Sequence, residues 1–180
     1  MLLSLWEVLT PSLFAAIVKG IELAHRGKWE EGAQRPMSEE NKALSRRAIE
    51  EIFVAGNLDV VDEIVAQDHV HHDPAMPEEG HGREHFKEFA SMYRSAFPDV
   101  NMQIEDQIAE GDRVATRWVA SGTHEGDLMG INPTGNRVTV AGMTIDRIAD
   151  GQIAETWDNY DALGMMQQVG AIPSPEEAQA

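Results

Sequence analysis

The stretch RVATRWVASGTHEGDLMGINPTGNRVTVAGMTIDRIADGQIAETWDNY, residues 113–160, decides the fold. It holds three runs, 113–121, 137–148 and 152–160, in which branched and aromatic side chains recur with a period of two, the pattern of half-buried strands. Asp150-Gly151 between the last two is a tight hairpin signal, and the Gly- and Pro-bearing segment 122–136 reads as a loop. Upstream, Val100, Met102 and Ile104 alternate with polar residues, which predicts a further strand closed by the turn Glu110-Gly111-Asp112.

Before Pro98 the period is helical instead. Ser38 is placed to cap a helix whose first turn carries Glu39 and Glu40, where acids complement the dipole. Leu44, Ala48, Ile49, Ile52 and Phe53 form its apolar stripe, and Gly56-Asn57 ends it. Val60, Val61, Ile64 and Val65 mark a second, short helix. A His-rich, Pro-punctuated stretch, DHVHHDPAMPEEGHG, separates it from a third over 82–97, with Phe86, Phe89, Tyr93 and Phe97 on one side. Helices followed by strands predict an α+β fold: three N-terminal helices packed on one curved antiparallel sheet.

Residues 1–36 read as an N-terminal extension. Leu13, Ile17, Ile21 and Ala24 recur at helical spacing, which suits a docking helix. Against that, Gly32 and Pro36 punctuate the segment and Met37-Ser-Glu-Glu has the form of a natural start, which favours an upstream extension foreign to the native chain. The domain is expected over 37–172, with a frayed tail over 173–180. No base precedes Lys19, unlike a secretory signal, and Glu7 and Pro11 break an apolar run too short to span a bilayer, so no membrane association is expected.

The absence of Cys excludes disulfides, thiolate nucleophiles and sulfur-ligated zinc, and fits a cytoplasmic location. Asp and Glu number 31 against 14 Lys plus Arg, a formal charge of −17. A field of that sign repels nucleic acid and anionic lipid, which are therefore not expected as partners. Scarce Lys and acids dispersed along the chain suit either a halophile surface or an ordinary acidic cytosolic protein.

The motifs GTHEGDLMGINPTGNRVTV (122–140) and DRIADGQIAETWDNYDALGMMQQVG (146–170), with HHDP (71–74) and FPDV (97–100), resemble the SnoaL-like polyketide cyclases, or ester cyclases, of the nuclear transport factor 2-like superfamily. The resemblance covers nearly all of 39–170. It implies a cone-shaped α+β barrel, a small apolar ligand, a homodimer formed through the open face of the sheet, and an intramolecular aldol ring closure in a polyketide ester without metal or organic cofactor. The family's general acid/base aspartate matches Asp158. The assisting histidine of the preceding strand falls on Thr144, a departure from the family pattern. Because this scaffold also hosts isomerases, hydrolases and plain binding or dimerisation modules, these stay open as alternatives.

Alternation places Ala154, Thr156 and Asp158 on one face of the last strand. If that face lines the cone, Asp158 stands among apolar walls, where a desolvated carboxyl can exchange protons with a carbon acid. His72 and His124 match polar family positions and are the expected hydrogen-bonding partners; for His124 the competing role is a tie holding the loop. Trp118, Phe89, Tyr93, Met143 and Thr144 are expected on the cavity wall. His69, His71, His72 and Asp73 invite a metal reading, but His69 and His71 share one face of an extended chain while His72 points away, so few ligands converge and no metal site is expected.

Overall fold

The computed structural model describes residues 31–76 and 78–173, with side chains from Met37 onward. The chain divides into two units, Met1–Pro36 and Met37–Ala180, and the fold below is that of the second. The amphipathic spacing at 13–24 and the frayed tail beyond Pro173 lie outside the described residues.

Helix α1 (Glu31–Arg47) runs into a π-helical segment, Ala48–Val54, in which Ala55 N–H reaches back five residues to Glu50 O at 2.9 Å. Ser38 therefore lies within α1 and caps nothing; its hydroxyl donates to Ala109 O at 3.5 Å. The predicted stripe is real: Ala48, Ile49 and Ile52 are buried, with Leu44 and Phe53 packed on the same core. Gly56 turns the chain at φ +76°, and Arg94 donates to the Phe53 and Val54 carbonyls, both at 2.6 Å, satisfying acceptors the helix end leaves open.

The next elements are α2 (Val60–Ile64), β1 (Val65–His72), β2 (Gly80–His81) and α3 (Gly82–Ala96). Val65 begins β1 instead of ending a helix, and the first part of the His-rich stretch, through His72, belongs to that strand. Then come β3 (Asn101–Glu110), β4 (Arg113–Thr123), β5 (Arg137–Ala149), β6 (Gln152–Tyr160) and α4 (Ala162–Val169). Helix α4, which the strand pattern did not predict, is capped by the Asp161 side chain accepting from Gly164 N–H and closed by Gly170 at φ +84°.

The six strands form one sheet in the order β2-β1-β6-β5-β4-β3. It is antiparallel as expected, except that β1 runs parallel to β6, with His71 opposite Thr156. That seam brings residues from the two halves of the chain side by side. One core gathers Ile52, Val61, Ile64, Val65, Phe86 and Ile153; the other gathers Phe97, Leu128, Val138, Met165 and Val169 under α4. No described helix is long and apolar enough to cross a membrane.

Candidate active site

Between the sheet, the π-helical segment and α3 lies a cavity with walls of Phe53, Phe86, Phe89, Phe97, Trp118 and Val140. Three groups of polar side chains interrupt this apolar lining.

The first centres on Asp158. Thr144 and Asp158 pair directly across β5 and β6. The Thr144 hydroxyl donates to Asp158 Oδ1 at 2.5 Å and itself accepts from the Trp118 indole N–H at 2.9 Å. The other carboxyl oxygen, Oδ2, lies 2.9 Å from His71 Nε2. His71 is buried behind Asp158, edge-on to Phe89 with ring centroids 4.4 Å apart. Both oxygens of the carboxyl are thus fixed before any ligand arrives.

The second group sits one rung nearer the β5–β6 hairpin, with the residue types exchanged between strands: Asp146 on β5 pairs with Thr156 on β6. Thr156 donates to Asp146 Oδ1 at 2.8 Å, so His69, 3.0 Å away through Nε2, must donate to the Thr156 oxygen. His69 Nδ1 is then a bare, buried acceptor without a partner among the described residues. Protonating it would bury an unsatisfied donor, and burial, with His71 nearby, pushes the ring down to about 3. Burial pushes the Asp146 carboxyl up to about 6; the Ser45 and Thr156 hydroxyls oppose the rise and Asp158 adds to it.

In the third group the Tyr160 hydroxyl donates to Asp73 Oδ1 at 3.2 Å, and the Tyr93 hydroxyl lies 2.9 Å from that of Tyr160. Asp73 also accepts from Ala75 N–H at 2.7 Å, and burial raises its carboxyl. Burial pushes Tyr93 up to about 12 and raises Tyr160 as well, so both phenols stay protonated. Among the described residues, no Lys or Arg forms an ion pair with Asp73, Asp146 or Asp158; the partner of Asp158 is His71.

Ligand atoms of His71, Asp73 and Asp158 lie within 4.8 Å of one another, a spacing at which a cation could be held. All three groups are already engaged in the hydrogen bonds just described, and none of the chemistry below runs through an ion.

Of the residues singled out in the sequence, the structure brings together Asp158, Thr144, Trp118, Phe89 and Tyr93 on the cavity. It does not bring His72 there. That ring stacks on Trp157 on the other face of the sheet, centroids 5.2 Å apart, with Nε2 2.9 Å from Glu155 and Nδ1 3.1 Å from Glu79. His124 is buried but ties its loop, Nδ1 lying 3.1 Å from Thr134 Oγ1, and backs Phe97 from outside the cavity. Next to it, Glu125 and Gly126 N–H donate to Ala96 O, so this motif clamps the end of α3. Met143 is 44% exposed, because it alternates with Thr144 and both cannot face inward. A register shift between Arg147 and Ile148 turns Ile153 inward, so Ile153 and not Ala154 shares the cavity with Thr156 and Asp158.

The residues not foreseen are His71, Asp146, Ser45 and Tyr160. Alternation alone carried a signal for two of them: His71 stands opposite in phase to His72, and Asp146 shares a face with Thr144.

The family model of the SnoaL-like polyketide cyclases matches residues 43–169. The chain is 32% identical over 128 residues to the nogalonic acid methyl ester cyclase of Streptomyces nogalater, covering 69% of this chain and 93% of that one. It is 29% identical over 140 residues to an aklanonic acid methyl ester cyclase of Streptomyces peucetius, covering 74% and 93%. A crystal structure from Jannaschia sp. CCS1, assigned to the SnoaL-like cyclases, superposes with a TM-score of 0.71 at 26% identity, over 77% of this chain and 96% of that one.

Proposed function

Since the chain belongs to the SnoaL-like polyketide cyclase family, we propose that it is a cofactor-independent ester cyclase, with Asp158 as general acid/base on a mostly apolar carbonyl compound such as a polyketide methyl ester. The observation that carries this reading is the setting of Asp158: a carboxyl in an apolar cavity, held at one oxygen by Thr144 and at the other by His71.

In the reaction, Asp158 takes a proton from the carbon next to the ester carbonyl. The electron pair left behind delocalises as an enolate and then forms a carbon–carbon bond to a ketone carbon of the same molecule. The ketone oxygen becomes a hydroxyl by taking up a proton, so the product is an isomer of the substrate. The apolar wall excludes water that would otherwise solvate the carboxylate and blunt it as a base. Thr144 and His71 hold its two oxygens in a fixed orientation toward the cavity. His71 fills the hydrogen-bonding role that the sequence suggested for His72.

The test is conversion of nogalonic acid methyl ester, followed chromatographically as a product of unchanged mass. Asp158→Asn keeps the shape and removes the ionisation, and should cut turnover by roughly two to four orders of magnitude while the protein stays folded. If wild type binds such esters but leaves them unchanged, the cavity is that of a binding module. If Asp158→Asn turns over as wild type does, Asp158 is not the base.

A further inference from the structure

Resting on that reading of Asp158, we infer that Asp146 and Ser45 form a second oxygen-recognising subsite in the same cavity, where the Asp146 carboxylic acid hydrogen-bonds a ketone oxygen of the substrate and protonates it as the ring closes.

Ser45 is 1% exposed, lines the cavity, and its hydroxyl has no hydrogen-bond partner among the described residues. A buried hydroxyl left without a partner costs roughly 1–3 kcal/mol, so a site that keeps one open is suited to an incoming polar atom. It stands beside the Asp146 carboxyl without an aligned hydrogen bond to it, and still opposes the rise that burial causes there. Asp146 is buried at 5% exposure and has one oxygen, Oδ1, engaged by Thr156. Its other oxygen is free for a ligand. A ketone oxygen in the cavity they both line would accept from both.

The spacing suits a single substrate. Asp146 and Asp158 are diagonal neighbours on one face of the β5–β6 pair, which puts their Cα atoms about 7–8 Å apart. A compound whose acidic carbon meets Asp158 can therefore present a carbonyl a few bonds away to Asp146. The two carboxyls also differ in setting. Asp158 receives two aligned hydrogen bonds, whereas Asp146 is enclosed with one, from Thr156, and burial raises its carboxyl to about 6.

The step balances. Asp158 removes the proton from carbon, the carbon's electron pair forms the new bond to the ketone carbon, and the ketone's π pair moves to its oxygen, which takes the proton of Asp146. One proton has passed from carbon to oxygen, leaving Asp158 protonated and Asp146 ionised. After product leaves, one proton lost to water by Asp158 and one gained from water by Asp146 restore both.

Binding of 1-tetralone, a ketone that cannot cyclise, tests the subsite apart from turnover. The titratable groups facing Asp146 are Asp158 on β6 and His69 and His71 on β1, while α1 presents Ser45 and β4 presents Val114 and Thr116. His69 stays neutral over the working range. Affinity, read calorimetrically on the full chain, should fall roughly tenfold from pH 5 to pH 8 as the acid donor is lost. The fall should persist in Asp158→Asn, vanish in Asp146→Asn, and start from a weaker value in Ser45→Ala. Absence of saturable binding, or a fall that survives in Asp146→Asn and vanishes in Asp158→Asn, overturns the subsite. If Asp146→Asn does not fold, carbon-detected titration of Asp146 in wild type decides: 1-tetralone should raise its midpoint, and an unmoved midpoint overturns the proposal. Neither result bears on whether Asp158 is the base, which the ester assay reads.

Discussion

His71 Nε2 lies 2.9 Å from Asp158 Oδ2, across the one seam of the sheet where strands run parallel. An imidazole thus reaches the acid/base candidate from β1, while its neighbour on β5 is Thr144. The ring comes from β1, 87 residues earlier in the chain. Its role on this account is to position the carboxyl: it is buried behind Asp158 and is not part of the cavity lining.

His71→Gln should therefore lower turnover without abolishing it. A hydrogen bond to a charged group is worth about 1.5–3 kcal/mol, which corresponds to roughly 10–100-fold in rate. The loss should fall on kcat more than on KM, and the pH profile of turnover should move. His72→Ala, on the opposite face among Glu155 and Glu79, should leave turnover within about twofold and stability nearly unchanged, since partly exposed pairs contribute little. Equal effects from the two variants would contradict the assignment.

Strands β3–β6 and the inward face of α3 were legible because each rests on local periodicity, whereas Asp158 was singled out through the family resemblance and alternation gave only the face it shares with Thr156. Strand β1 was not legible. His69, His71 and His72 give no apolar alternation, and the partners that make burial of two of them tolerable, Thr156 and Asp158, come from β6. A buried polar residue is recognisable only through the group that satisfies it, and that group is remote in sequence. Asp146 was hidden for the same reason: it reads as an ordinary strand carboxyl, and the Thr156 hydroxyl that holds it comes from the next strand. The inward turn of Ile153 was invisible too, because a bulge shifts the phase of alternation and nothing in the flanking residues announces it.

Asp146 also makes a prediction about stability. Its carboxyl is raised from 3.8 to about 6 in the fold, so the native state holds that proton more tightly than the unfolded chain does. The associated stability is fully present below pH 3.8 and is lost as pH rises through about 6. The difference amounts to about 3 kcal/mol. Asp146→Asn cannot ionise, so its stability relative to wild type should improve by up to that amount between pH 4 and pH 7. Urea unfolding of both proteins across this range measures it. A constant offset would mean that Asp146 ionises in the fold as freely as in the unfolded chain.

Gly56 ties the cavity wall to the helix end beneath it. It sits at φ +76°, and a Cβ there would lie 2.6 Å from Arg94 Nε, displacing the guanidinium that holds the Phe53 and Val54 carbonyls. Gly56→Ala should cost about 2–3 kcal/mol, from left-handed strain and the lost cap together. Gly111, at φ +60° with open space around it, is the control: Gly111→Ala meets only the strain, about 1–2 kcal/mol. Denaturant midpoints should rank the two in that order. Because Phe53 lines the cavity, Gly56→Ala should also weaken ligand binding, which Gly111→Ala should not.

Replacement of Thr144 separates orientation from binding. Its hydroxyl both receives the Trp118 indole proton and passes its own to Asp158 Oδ1. Thr144→Val keeps the branched shape and removes the hydroxyl. The carboxyl then loses one of its two fixing bonds, and the Trp118 N–H is left buried without an acceptor. The first effect should lower kcat roughly tenfold, the value of about 1.4 kcal/mol of lost orientation. The second should cost about 1–3 kcal/mol of stability. Trp118→Phe in the same background removes the stranded donor, so it should recover part of that stability while leaving kcat low. A purely structural role for Thr144 predicts otherwise: activity and stability would return together in the double variant. Thermal melts alongside ester turnover distinguish the two outcomes, and recovery of both would remove Thr144 from the set of residues that orient Asp158.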